Sequence, residues 1–331
     1  MANNCSSNRP ELRDIFGQTL VELGLEHPEM IVLDADLHTS TRSELFKRAF
    51  PNRFIQVGIA EQNLFGIAAG LASTGFVPFP CTFAVFASRR ALDQLAVSIC
   101  FSKLNVKVPG SYAGIPTGKA GSSHNSVEDI AIMRTLPNMR VADPGDAADL
   151  RAIMHTAYET PGPIYFRVVC YQTPSIFSNN HHFLWGKGEL VKQGKDVTLF
   201  STGIMTEKCI NAEEILRRDG IDAEIIHLAS IKPIDKELIL ESVRRTGCAV
   251  TVENSSVIGG FGSAVQEVLS ESFPVHVRQI GIHDLWIHSG DVEELFSFHK
   301  MQPFDIAQAA RDVIELKKER IDYEHIPLGR D

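Results

Sequence analysis

Three short segments carry side chains whose types and spacing could do chemistry. The first is Phe54-Ile55-Gln56-Val57-Gly58-Ile59-Ala60-Glu61-Gln62-Asn63, which places Glu61 just after an apolar run, at the head of a stretch rich in small residues. A carboxylate in the first turn of a helix complements the helix dipole. From Gln62 to Ser88 no residue carries a formal charge. A carboxyl desolvated in such company has its pKa pushed up and can share a proton near neutrality. The second segment is Thr82 to Arg90, where Phe83 and Phe86 can share one face, either as a stacking wall or as plain core. The third is the loop Gly110 to Asn125, whose four glycines suit a backbone shaped around a ligand. His124 closes that loop as an acid/base candidate, with N-capping by Ser123 or Asn125 as the structural alternative.

The rest of the composition narrows the classes. The chain has 331 residues, 44% apolar and 22% charged, enough for two globular domains. Its net charge of −9 argues against a nucleic-acid binder or a basic membrane-surface protein. Six cysteines, at 5, 81, 100, 170, 209 and 248, form no C-x-x-C pair and read as thiols in a reducing, cytoplasmic compartment. The uncharged run from Gln62 to Ser88 is long enough to span a bilayer, but Gly66, Gly70, Gly75, Pro78 and Pro80 break it. No P-loop, H-E-x-x-H or G-x-S-x-G motif is present. Gly260-Phe261-Gly262 starts like a dinucleotide fingerprint, but Val265 stands where the third glycine belongs.

These segments sit in an almost unbroken alternation of short apolar runs and helical patterns. Runs such as Met30–Leu33, Phe54–Val57, Phe76–Cys81, Asn105–Val108 and Ile164–Val169 suit parallel strands covered on both faces. Helical spacing is expected at Arg9–Glu26, Ala60–Ser73, Ser88–Phe101, Ser126–Thr135 and Asp146–Glu159. The pattern predicts an α/β protein of two doubly wound domains, 1–172 and 195–331, joined by a linker at 173–194 where periodicity fails.

Taken together, the segments resemble the transketolase family over most of the chain. Gly58-Ile59-Ala60-Glu61-Gln62 resembles its glutamate motif, Thr82-Phe83 with Phe86 its aromatic wall, and Gly118 to His124 its G-x-D-G-x-T-H loop. Thr202-Gly203, Glu253-Asn254, Gly259 to Gly262 and Gly281 to Asp284 resemble its C-terminal domain. The resemblance implies a pyrimidine-binding domain followed by that C-terminal domain, and thiamine diphosphate as cofactor. It assigns Glu61 to the pyrimidine ring nitrogen opposite the amino group, Phe83 and Phe86 to the ring faces, and His124 to the substrate carbonyl and proton movement. The G-D-G…N motif that holds diphosphate and Mg²⁺ in this family is missing here: Gly145-Asp146 continues to Ala147 and Gly290-Asp291 to Val292. The chain is therefore expected to be the B subunit of a split enzyme. An A subunit would bring the diphosphate and Mg²⁺ site, in an α2β2 assembly inactive without it.

Departures from the family bear on the substrate, a sugar phosphate. By the resemblance, Arg13, Ser40 and Arg167 match phosphate contacts, and Arg89, Arg90 and Lys119 add nearby cations. Tyr112 replaces a histidine, Asn125 a glutamine, and Asp143 takes the place of a phosphate-binding arginine. Ala120 stands where the loop has an aspartate, which removes a hydrogen bond and opens volume. That room suggests a ketose branched beside the carbonyl, such as apulose 4-phosphate. Cleaved with glyceraldehyde 3-phosphate as acceptor, it would give dihydroxyacetone phosphate and xylulose 5-phosphate. The competing readings are an ordinary pentose-phosphate transketolase, a 2-oxoacid dehydrogenase β subunit, a deoxyxylulose synthase half, and a silent subunit that only supports its partner.

Overall fold

Met30–Asp34 is buried at every position, as a parallel strand with helices on both faces must be. It lies near one end of a seven-stranded sheet in the computed structural model, which describes residues 11–324. Cys5 and the rest of the opening stretch fall outside them, and the other five cysteines are free thiols. The order across that sheet is Ser230–Lys232, Arg140–Ala142, Ile164–Val168, Lys107–Ser111, Val77–Phe83, Met30–Asp34, Phe54–Gln56. Every pairing is parallel except the first, where Ser230–Lys232 runs antiparallel to Arg140–Ala142. The chain reverses direction across the sheet between Met30–Asp34 and Val77–Phe83, so the carboxyl ends of those strands flank a crevice.

A second, five-stranded sheet runs His276–Ile282, Cys248–Ser256, Val197–Ser201, Ala223–His227, Glu189–Lys192. It too is parallel but for one edge, Glu189–Lys192 against Ala223–His227. The chain is thus two α/β units with mixed sheets flanked by helices. Glu189–Lys192 lies inside the stretch expected as linker. Its half-polar pattern, exposed on an antiparallel edge, carries little strand signal.

Two other elements differ from expectation. The helix after the 110–125 loop begins at Asp129, not Ser126. The helix expected over Ser88–Phe101 is instead two wide, π-helical segments, Phe86–Arg90 and Gln94–Phe101. The first is closed by Ala91 N donating to the Phe86 carbonyl, five residues back. Among the described residues, no helix is long and apolar enough to cross a membrane.

Candidate functional site

Glu61 opens the helix Glu61–Ser73 and is 4% exposed. Its position is set by the turn before it. Asp34, at the end of its strand, accepts hydrogen bonds from Ser43 Oγ (3.0 Å) and Gln56 Nε2 (3.3 Å). Gln56 Oε1 in turn accepts from the Asp36 and Gly58 amides at 2.9 and 3.0 Å. This network fixes the backbone just ahead of Glu61, and burial raises the Asp34 carboxyl above its ordinary pKa. Neither Asp34 nor Gln56 stood out in the sequence. Glu61 opens onto a cleft lined by Ile59, Ala60, Gln62, Asn63 and Arg90, with Ile59 fully 76% exposed beside it.

The surroundings of Glu61 are not purely apolar. Arg90 Nη1 lies 3.4 Å from both Glu61 oxygens, and the guanidinium lies 4.2 Å over the Phe86 ring. Phe86 and Arg90, four residues apart, share one helix face, and Glu61 meets Arg90 from 29 residues away in sequence.

Phe83 and Phe86 stack at 5.6 Å with their planes 13° apart. Tyr112 stacks on Phe83 at 4.3 Å, and His124 meets both phenylalanines edge-on at 6.1 and 5.6 Å. Tyr112 accepts a 2.6 Å hydrogen bond from Arg13, with Ser40 close to the same hydroxyl, and burial raises that phenol. Glu61, Arg90, Phe86, Phe83, Tyr112, His124, Arg13 and Ser40 therefore form one connected constellation. Tyr112 was not foreseen as part of the stack, because its positive φ of 57° in the glycine-rich loop cannot be read from spacing.

His124 is half-buried, and its Nδ1 lies 2.7 Å from Ser123 Oγ. The helix that Ser123 or Asn125 would have capped begins at Asp129 with no side-chain cap, so capping does not explain this trio. The loop is held by the second unit. Ile115 N donates to Asn254 Oδ1 at 2.9 Å, and Gly114 (φ +70°) passes so close that a Cβ would meet Asn254 at 2.3 Å. Lys119 and Ala120 are exposed on this loop.

Arg167 corrects an expectation. It is fully buried, with Nε and Nη2 on the two Asp129 oxygens at 2.8 and 2.5 Å. Nη1 reaches Asp143 at 3.5 Å and the Asn254 carbonyl at 2.9 Å. A guanidinium so desolvated and paired is not free to meet a substrate phosphate. Asp143 is likewise buried, as its partner.

The residues fit an aminopyrimidine: a buried carboxylate beside flat aromatic faces. Ser111 Oγ, on the residue paired with Phe83, and both side-chain polar atoms of Asn125 are buried with no protein partner, as groups awaiting a polar ligand would be. Among the described residues no cluster of three or more His, Cys, Asp or Glu could hold a metal ion.

Residues 8–169 match the family model described as the transketolase pyrimidine binding domain, and residues 186–306 the transketolase C-terminal domain. A 6-deoxy-6-sulfo-D-fructose transketolase subunit from Clostridium sp. (strain MSTE9) is 40% identical, over 93% of this chain and 96% of that protein. The B subunit of an apulose-4-phosphate transketolase from Phocaeicola vulgatus is 35% identical, over 95% and 100%. A solved structure described as a split gene transketolase, inactive beta4 tetramer, superposes with a TM-score of 0.85 at 46% identity, covering 92% of this chain and 98% of that one.

Proposed function

The chain belongs to the transketolase family, and on that premise we propose that it is the B subunit of a split, thiamine diphosphate-dependent transketolase. The observation that carries the reading is the buried Glu61 carboxylate at the mouth of a cleft, joined through Phe86 to His124. When bound, the coenzyme supplies the nucleophilic carbon that cleaves and re-forms the bond beside a ketose carbonyl. Glu61 shares a proton with the pyrimidine nitrogen, held in place by the Asp34–Gln56 network. The stack of Phe86, Phe83 and Tyr112 gives the ring a rigid wall. With Nδ1 engaged by Ser123, His124 offers Nε2 to the substrate oxygen, where it bonds and moves a proton.

The diphosphate and Mg²⁺ fall to a partner subunit carrying G-D-G…N, in an α2β2 assembly; this sequence contains no G-D-G. A 46% identical relative described as an inactive tetramer of β chains supports a requirement for a second kind of subunit. Purified alone, the chain should transfer nothing, and the reconstituted pair should turn over; full activity of the single chain overturns the split.

For the substrate, we infer a ketose with an anionic tail, its two-carbon glycolaldehyde unit passing to an aldehyde acceptor. The specific form is apulose 4-phosphate with glyceraldehyde 3-phosphate. The small, exposed Ala120 on the His124 loop and the 35% identical apulose-4-phosphate transketolase relative support it. The 40% identical relative named for 6-deoxy-6-sulfo-D-fructose favours a second reading, an unbranched sugar with a sulfonate tail. Assaying the reconstituted pair on both, and on xylulose 5-phosphate, separates them by kcat/KM.

A further inference from the structure

Arg90 engages both groups that the proposed coenzyme ring needs. Its guanidinium lies 4.2 Å over Phe86, and the same side chain reaches both Glu61 oxygens at 3.4 Å. A guanidinium is flat, stacks on aromatic rings and presents N–H groups to a carboxylate. A protein-bound aminopyrimidine is likewise flat, stacks on an aromatic ring and shares a proton with a carboxylate. The two members of the pair differ in freedom: the Glu61 side chain is 4% exposed, whereas that of Arg90 is 54% exposed. Arg90 can therefore swing into solvent without disturbing the core, while Glu61 stays fixed.

We propose that Arg90 is a resident stand-in for the pyrimidine ring, occupying its carboxylate and aromatic partners in the subunit and leaving when the coenzyme arrives. The inference rests on reading this cleft as the pyrimidine site. It makes Arg90 a positioning residue that keeps Glu61 and Phe86 aligned, at the cost of competing with the ligand. A site that is self-occupied for most of the time binds its ligand more weakly by the fraction that is open. Arg90's contacts to Glu61 are long, at 3.4 Å, and its own side is half-exposed, so displacement by a ring that also gains diphosphate contacts from the partner is readily reached.

The test is a calorimetric titration of the reconstituted complex with thiamine diphosphate, using wild type, Arg90→Gln, Arg90→Lys, Glu61→Gln and Arg89→Gln. Arg90→Gln is expected to tighten binding about tenfold, by removing the competitor. Arg90→Lys should fall between, since an ammonium keeps the charge but not the flat face. Arg89 pairs with Glu128 and lies 5.0 Å over Trp286, so Arg89→Gln should leave the affinity unchanged. If Arg90→Gln weakens or does not change binding while Glu61→Gln weakens it, the stand-in is wrong and the pyrimidine site stands. A raised KM for the sugar at unchanged coenzyme affinity has the same meaning, and makes Arg90 a substrate contact. If Glu61→Gln leaves the affinity at the wild-type value, or the complex binds no coenzyme, the reading of the cleft fails and the stand-in falls with it.

Discussion

Arg167 and Asp129 form a fully buried, two-pronged ion pair at the seam between the two sheets, and Asp143 shares the same guanidinium at 3.5 Å. Charges without water are stabilised only by each other, so removing one member leaves the rest uncompensated. Arg167→Met should therefore cost about 3–5 kcal/mol of stability, read by chemical denaturation. A change confined to KM for the sugar phosphate, with stability intact, would restore Arg167 to the substrate site.

Burial pushes the Asp143 carboxyl up from 3.8 to about 6, with Arg167 pulling against it. The folded state thus holds this proton more tightly than the unfolded chain, and stability declines as pH rises from 3.8 to about 6. Melting temperatures of wild type and Asp143→Asn should diverge over that interval in favour of the variant, then run parallel above it. Curves that diverge with the opposite sign would mean that the Arg167 attraction dominates.

A second buried carboxylate works the other way. Asp149 accepts from His227 Nε2 at 3.0 Å and from His181 Nε2 at 3.2 Å, joining a first-unit helix to the connecting stretch and to a second-unit strand. Despite burial, these hydrogen bonds hold its pKa down at about 2, and the Asp149 bond raises that of His181 above 6.5. The Asp149 contribution is present above 3.8 and is lost as pH falls towards about 2. The His181 contribution is full below 6.5 and is lost as pH rises through the raised value. Asp149→Asn should therefore destabilise most between these limits, by about 1.5–3 kcal/mol, with the gap narrowing on both sides. A flat difference across pH 3 to 8, an interval of roughly one carboxylate and one imidazole titration, would contradict this.

Glu61→Ala in the reconstituted pair should lower kcat by about 10²–10⁴-fold if the carboxyl handles a proton. Its partner Arg90 is half-exposed and is solvated once freed, so the melting temperature should move little. An unchanged rate would favour a subunit that only supports its partner.

Ala120→Asp changes one exposed loop side chain and should leave the fold intact. If the pocket accepts a branched ketose there, kcat/KM for apulose 4-phosphate should fall about tenfold or more relative to xylulose 5-phosphate. An unaltered preference would mean that Ala120 does not set it.

Much of this was legible in the chain, for physical reasons that differ by residue. Strand–helix alternation is a local property, so both α/β units could be read from it. Glu61 follows its strand within a few residues, and Phe83 and Phe86 are near neighbours, so short-range spacing was enough to bring them to notice. Arg90 was read only as a nearby cation, because its contact with Glu61 joins residues 29 apart in sequence, beyond any local spacing. Arg167 was misplaced because its partners lie 38, 24 and 87 residues away in sequence. Ser230–Lys232 is three residues long and pairs with a strand of the other unit, a contact no window of sequence contains.

That small strand carries a consequence for how the molecule can be taken apart. Because the C-terminal half donates the border of the N-terminal half's sheet, and Lys232 also caps the Arg134 and Leu136 carbonyls, neither half owns a finished surface. Excising the first half would bare the Arg140–Ala142 backbone, a sticky margin open to whatever strand comes next, most readily another excised copy.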